Sequence, residues 1–321
     1  MREITIACCT SDRTAELARQ RISLDGAPYR MISIDPGSEI FYRMFEYEEF
    51  DVAEMSLSTY ATAVGQGDRR FVGLPVFLSR SFRHGTLYVA EDSDITDPAQ
   101  LRGRRVGTSE YEMTAGVWTR GFLADDYGVR PSDVEWITLR QEKVAGIPYN
   151  PAIRVVREPD IDLEAALVSG HIDALTYAAI PRRLGHGIRR LFPDYAATER
   201  DYFARTRIFP VMHTLVMRRS TYEDYPWLAR SLYKGFCEAR EHALAHLYRA
   251  QALAFMLPDL VDAVERSRAA FGGNPWTYGL SENADALETF TRYLVEQGLT
   301  KSEPAIEDLF LPVQTSNQGA Y

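Results

Sequence analysis

Apolar residues recur along the chain in two rhythms. Short runs rich in β-branched and aromatic residues predict strands, and stretches with three- and four-residue spacing predict helices. Residues 4–8 form the first strand, and 12–25 contain the first helix. Strand patterns follow at 29–34, 50–56, 71–77, 86–90, 105–107, 134–139, 172–177 and 213–218, with Pro75 marking an irregularity in the run at 71–77. Helical patterns lie between them, at 38–46, 59–65, 97–101, 163–169 and, after the last strand, 226–254 and 283–297. Gly103, Gly170 and Gly298 close three of these helices.

Strands alternating with helices imply α/β layers built on mostly parallel sheets. At 321 residues the chain is long for one core and suits two lobes. No repeat and no low-complexity linker separates them, so crossing strands are expected to join them, at 87–90 and 214–217. The first lobe is then discontinuous, 1–86 plus 215–321, with the second lobe, 87–214, inserted.

Composition narrows the partners. Hydrophobic residues at 45% and charged residues at 25% are ordinary for a globular protein, and no apolar run reaches membrane-spanning length. A formal net charge of -9 argues against nucleic acid, so any anion site must be a local cluster of cations or N–H groups. The chain enters a strand directly after Met1, with no export signal, and its three cysteines (Cys8, Cys9 and Cys237) make a poor disulfide set; both point to the cytoplasm. His242 and His246 stand four apart, but without the glutamate of a zinc motif they read as surface or packing residues, and no metal site is expected. The apolar face of 227–257 can pack internally or against a second subunit of a homo-oligomer.

The stretch 105–123 reads as a strand, a turn at Gly107 and a helix capped by Thr108 or Ser109. A helix N-terminus offers unpaired N–H groups and a partial positive charge, which suits a carboxylate.

Six segments carry a family resemblance: 51–60 (DVAEMSLSTY), 82–89 (FRHGTLYV), 101–115 (LRGRRVGTSEYEMTA), 207–214 (RIFPVMHT), 274–279 (NPWTYG) and 296–300 (EQGLT). Their order over nearly the whole chain is more specific than any one of them. The chain resembles the 4,5-dihydroxyphthalate decarboxylase family, a cytoplasmic version of the type II periplasmic-binding-protein fold. The resemblance implies two lobes around a ligand cleft, a small aromatic acid as partner and a non-oxidative decarboxylation. Members of the wider fold more often bind and deliver solutes, so the site must decide.

Removing carbon dioxide from a hydroxylated ring calls for a proton donor, a base near a hydroxyl, and Arg or N–H groups for carboxylates, but no redox cofactor. Arg80, Arg83 and His84 cluster before the first crossing, where arginine can clamp a carboxylate and His84 can exchange a proton; a solvated basic loop is the alternative. Glu54, Ser56 and Ser58 follow a strand, at the end that faces ligands in open α/β sheets; Glu54 is a candidate base, and the serines bind substrate or merely cap the next helix. At the start of the other helix, Glu110 is a candidate proton donor or a dipole partner, and Met113 and Thr114 are candidate binding residues. His213 precedes the return strand and can face His84 across the cleft, unless it is a core histidine. Asn274 and Tyr278 lie in a turn-rich loop, and Tyr278 can meet a phenol or simply pack.

One segment departs from the family. Residues 140–146 (RQEKVAG) replace an expected Gly-rich run at the crevice, so Arg140 or Lys143 can contact a different ring, and 146–159 can act as a lid. Two functions therefore stand: a cofactor-independent decarboxylase of a hydroxylated aromatic acid, or a solute-binding component of an uptake system.

Overall fold

The computed structural model describes residues 1–313. The chain begins β1 (Ile4–Cys8), α1 (Asp12–Ala18), β2 (Tyr29–Ser33), α2 (Gly37–Tyr47), β3 (Val52–Ser56), α3 (Leu57–Gly65) and β4 (Phe71–Arg80). It continues β5 (Leu87–Ala90), β6 (Arg105–Thr108), α4 (Thr114–Tyr127), β7 (Glu135–Thr138), β8 (Arg154–Arg157), α5 (Leu163–Val168), β9 (Ala174–Thr176), β10 (Ile188–Arg190) and α6 (Tyr195–Thr206). It ends β11 (Val211–Arg218), α7 (Arg219–Asp224), α8 (Trp227–Leu247), α9 (Leu260–Phe271), α10 (Ala284–Glu296) and α11 (Ile306–Leu309).

These strands form two mixed sheets, ordered β2-β1-β3-β11-β4 and β10-β5-β9-β6-β7-β8. In the first, β1 pairs parallel with β2 and β3, and β11 runs antiparallel between β3 and β4. In the second, β6 is parallel to β7 and β9, while β5 runs antiparallel to β9 and β10. Every residue of β3 is buried, as expected for a central strand covered on both faces.

The chain leaves the first sheet after Arg80 and returns to it at Val211. The two connections lie side by side: Ser81 N–H donates to Pro210 O at 3.1 Å, and Arg80 pairs with Val211. The strands expected to cross, 87–90 and 214–217, do not. Each pairs along its length with strands of one sheet, so the passage falls to irregular segments outside those ladders.

The end of β3 meets the start of α4, which follows β6, across the seam between the sheets: Ser56 touches Thr114. Strand ends are where open α/β sheets hold ligands. The seam is packed. Trp118 of α4 lies 5.4 Å from Phe290 of α10, and its indole N–H donates to Val211 O at 2.9 Å. Arg120, fully buried, donates to Gln297 Oε1 at 2.7 Å and covers the Tyr111 ring.

Several elements differ from expectation. β4 runs through Pro75 to Arg80, because it is the outer strand of its sheet and its register with β11 shifts between Leu74 and Ser79, where a missing N–H costs no ladder bond. The 226–254 pattern ends as a helix at Leu247; its apolar face (Leu228, Leu232, Phe236) packs inside the protein, and α9 follows. Helix α4 starts at Thr114, so neither Thr108 nor Ser109 caps it. The strands β8 and β10 and helix α6 are short or polar and had no clear periodic signal. No helix among the described residues is long and apolar enough to cross a membrane.

Candidate functional site

Glu54 points from the middle strand of the first sheet and is almost fully buried. Its Oε2 accepts the Cys9 N–H at 2.9 Å, and its Oε1 meets His213 Nδ1 at 2.7 Å. Burial alone pushes this carboxyl up; the His213 hydrogen bond and charge pull it back, and the balance lies below the usual glutamate value. His213 keeps 24% of its side chain exposed and sits edge-on to Phe41, 4.7 Å away. A carboxylate on Nδ1 fixes the imidazole tautomer and leaves Nε2 to exchange protons with a ligand. Cys9, beside the pair, is held protonated by burial and by Glu54.

His213 pairs in register with Ser56, the residue that opens α3. Ser56 Oγ lies 2.9 Å from Thr114 Oγ1, and the same threonine hydroxyl accepts the Ser58 N–H at 3.0 Å. The first turns of α3 and α4, one from each lobe, thus meet at these hydroxyls. Two helix N-termini converging on one seam concentrate donors and positive potential there.

A cavity of about 880 Å³ lies between α2 and the 140–149 segment; Glu54, Ser56, Thr114 and His213 do not line it. Tyr42, Phe45 and Tyr149 supply aromatic wall, and the charged lining is mainly acidic, with Glu39, Glu46, Glu110 and Glu142 beside Arg140 and Lys143. Lys143 Nζ holds Glu110 Oε1 at 3.0 Å, while Arg140 stands 3.7 Å from the same oxygen and is largely exposed. Segment 140–146, which departs from the family pattern, is therefore a wall of this cavity.

Glu54, His213, Ser56, Ser58 and Thr114 come together, with Met113 one residue before the helix and partly exposed. Glu110 lies at the cavity wall in an ion pair. Burial raises Glu142 nearby and, to about 7, Glu112. It and Glu142 were not singled out by sequence; the acidic spacing of 110–112 was the only available signal.

The remaining candidates lie elsewhere. His84 is stacked on Phe122 at 4.1 Å inside a cage with Phe192 and Tyr202, its Nδ1 is unpartnered, and burial pulls it down to about 4. Its ring contacts are Phe122, Phe192 and Tyr202, whereas His213 lies against Phe41. Arg80 is buried and tethers the crossing, donating to Phe209 O, Thr277 O and Asn283 Oδ1. Arg83 is buried beside Met212 Sδ, and burial lowers it to about 10. Asn274 is exposed and accepts the Trp276 N–H in its own turn. Tyr278 is buried beneath the Arg240 guanidinium, 4.8 Å from it. Neighbours from distant parts of the chain bury His84, Arg80, Arg83 and Tyr278, whereas Asn274 stays exposed. Among the described residues no group of three or more His, Cys, Asp or Glu side chains is arranged to hold a metal ion.

No protein-family model matches the chain. Among curated proteins, a 4,5-dihydroxyphthalate decarboxylase of Comamonas testosteroni is 32% identical over 320 residues, covering 97% of this chain and 96% of the relative. Among solved structures, the periplasmic aliphatic sulphonate binding protein SsuA of Escherichia coli superposes with a TM-score of 0.53 at 15% identity, covering 99% of this chain and 95% of its own. The desulfurization enzyme DSZB does so with a TM-score of 0.52 at 16% identity and 97% coverage of each chain. The architecture is the two-lobed periplasmic-binding-protein fold.

Proposed function

Because the chain belongs to the 4,5-dihydroxyphthalate decarboxylase family, we propose that it is a carbon–carbon lyase that removes carbon dioxide from a hydroxylated aromatic carboxylic acid held between its lobes. The bond between ring and carboxylate breaks, its electron pair stays on the ring carbon, and that carbon takes up one proton as carbon dioxide leaves. Nothing is oxidised or reduced overall, so the residues need only bind, orient and move a proton.

The observation that supports this reading is the Glu54–His213 pair at the seam, with His213 in register opposite Ser56. In this reading Glu54 holds the tautomer, and His213 Nε2 draws the proton from a ring hydroxyl or returns one to the ring carbon. Drawing density from the hydroxyl makes the ring carbon basic enough to be protonated. The α3 and α4 N-termini, with Ser56 and Thr114, supply donors to a carboxylate. The three unpaired cysteines suit a reducing compartment, where we place the enzyme.

The test is carbon dioxide release by purified protein from 4,5-dihydroxyphthalate and from mono- and dihydroxybenzoates. Release that disappears in His213→Ala is expected. Tight binding without release would make the protein a solute carrier, and release unchanged in His213→Ala would remove the pair from the chemistry.

A further inference from the structure

The motif 82–89 leaves a part of its chemistry unused once His84 and Arg83 prove to be buried. Gly85 carries it. Its N–H donates to Glu199 Oε1 at 3.0 Å, and its carbonyl accepts from Arg190 Nε, also at 3.0 Å. Its missing side chain admits Tyr195: a Cβ there would lie 2.6 Å from the Tyr195 ring. One residue thus seats a cation, a carboxyl and an aromatic ring around a common point.

That point is a cavity of about 310 Å³ beside the crossing segments, at the low end of the roughly 300–1,000 Å³ typical of small-molecule sites. Phe82, Tyr195 and Phe209 form apolar wall, with the Phe82 and Phe209 rings 4.8 Å apart. The Arg190 guanidinium lies 4.7 Å from the Tyr195 ring, which fixes its plane. Only its Nε has a hydrogen-bond partner among the described residues, so its terminal N–H groups stand ready for a bidentate acceptor. Glu199 has one oxygen committed to Gly85, and its carboxyl is raised by burial.

We propose that this cavity is a second binding site, separate from Glu54 and His213, for a small aromatic carboxylate bearing a ring hydroxyl. Arg190 takes the carboxylate, Tyr195 and Phe82 flank the ring, and the second oxygen of Glu199 meets the hydroxyl. An aliphatic acid leaves the aromatic walls unused. The proposal stands independently of the decarboxylase reading, since it concerns equilibrium binding alone.

Crystals of the full chain soaked in 4-bromobenzoate, read by anomalous scattering, test the location. A bromine between Phe82 and Tyr195, retained in His213→Ala, is expected; bromine found only elsewhere overturns the proposal. In solution, calorimetry should show that Arg190→Gln weakens benzoate binding about tenfold or more, as loss of a charge-assisted pair does. Benzoate affinity unchanged in Arg190→Gln overturns it as well. Glu199→Gln should keep benzoate affinity and erase any preference for 4-hydroxybenzoate; a preference that persists refutes the hydroxyl contact. Carbon dioxide release, measured separately, decides the other reading without bearing on this one.

Discussion

The carboxylates of Glu112 and Glu142 hold each other's backbone. Glu142 accepts the N–H groups of Tyr111 and Glu112 at 2.9 and 2.8 Å, and Glu112 accepts those of Lys143 and Val144 at 3.0 and 3.1 Å. Thr59 of α3 adds a hydrogen bond to Glu112 from the first lobe, at 3.2 Å. The clasp pins the segment that walls the larger cavity.

This clasp makes stability depend on pH. Burial, then the charge of Glu142, raises Glu112 to about 7, against the opposing pull of Lys143 and the two N–H donors; Glu142 is raised too, with Glu110 and Arg120 as its charged neighbours. The folded chain therefore binds more protons than the unfolded one between the ordinary glutamate range and pH 7. Stability is fully present in acid and falls as pH rises through about 7, by at most about 1.4 kcal/mol per pH unit for each proton. Urea midpoints from pH 5 to 8 should show this slope, and Glu112→Gln should flatten it. An equal slope in both proteins would place its origin elsewhere.

His213→Ala should lower kcat by about 10²- to 10⁴-fold, the range for removing a general acid–base, with a smaller change in KM. Glu54→Gln should act in the same direction through the His213 tautomer while His213 remains in place. Steady-state rates of carbon dioxide release would measure both. A Glu54→Gln enzyme with ordinary kcat would show that the histidine needs no partner.

Thr114→Val removes the hydroxyl that meets Ser56 and accepts the Ser58 N–H. Both partners are buried, so leaving them unsatisfied should cost about 1–3 kcal/mol. Chemical denaturation would read the loss. A variant as stable as the parent would mean that water replaces the hydroxyl at the seam.

Gly121 of α4 lies flat against Tyr293 of α10, where a Cβ would sit 2.0 Å from the ring. Tyr293 cannot simply turn away, because its hydroxyl donates to Asp125 at 2.7 Å. Gly121→Ala should force the helices apart and cost about 1–3 kcal/mol or more. An unchanged melting temperature would show that the lobes tolerate a wider seam.

The class of fold was legible because strand and helix periods are local. The mainly apolar run at 4–8 announces a buried strand whatever lies beyond it, and β3 keeps that character on both sides of Glu54. Glu54 and Ser56 at a strand end and Thr114 at a helix start stood out as candidates, because such ends in α/β sheets face a crevice. Glu54 and His213 were read as separate groups. Only the antiparallel pairing of β3 and β11 makes them one.

Sequence by itself determined the alternation of strands and helices, the two-lobed expectation and the residue types able to bind an aromatic acid. Tertiary structure decided which of those residues are free to act. His84 and Tyr278 looked reactive beside their chain neighbours, but Phe122, Phe192 and Arg240 arrive from distant positions and bury them. Arg190 and Glu199 carried no sequence signal, yet one glycine backbone brings them to a single cavity. The reason is physical: periodicity is a property of the nearby chain, whereas desolvation and hydrogen-bond partners are set by whatever folding places alongside.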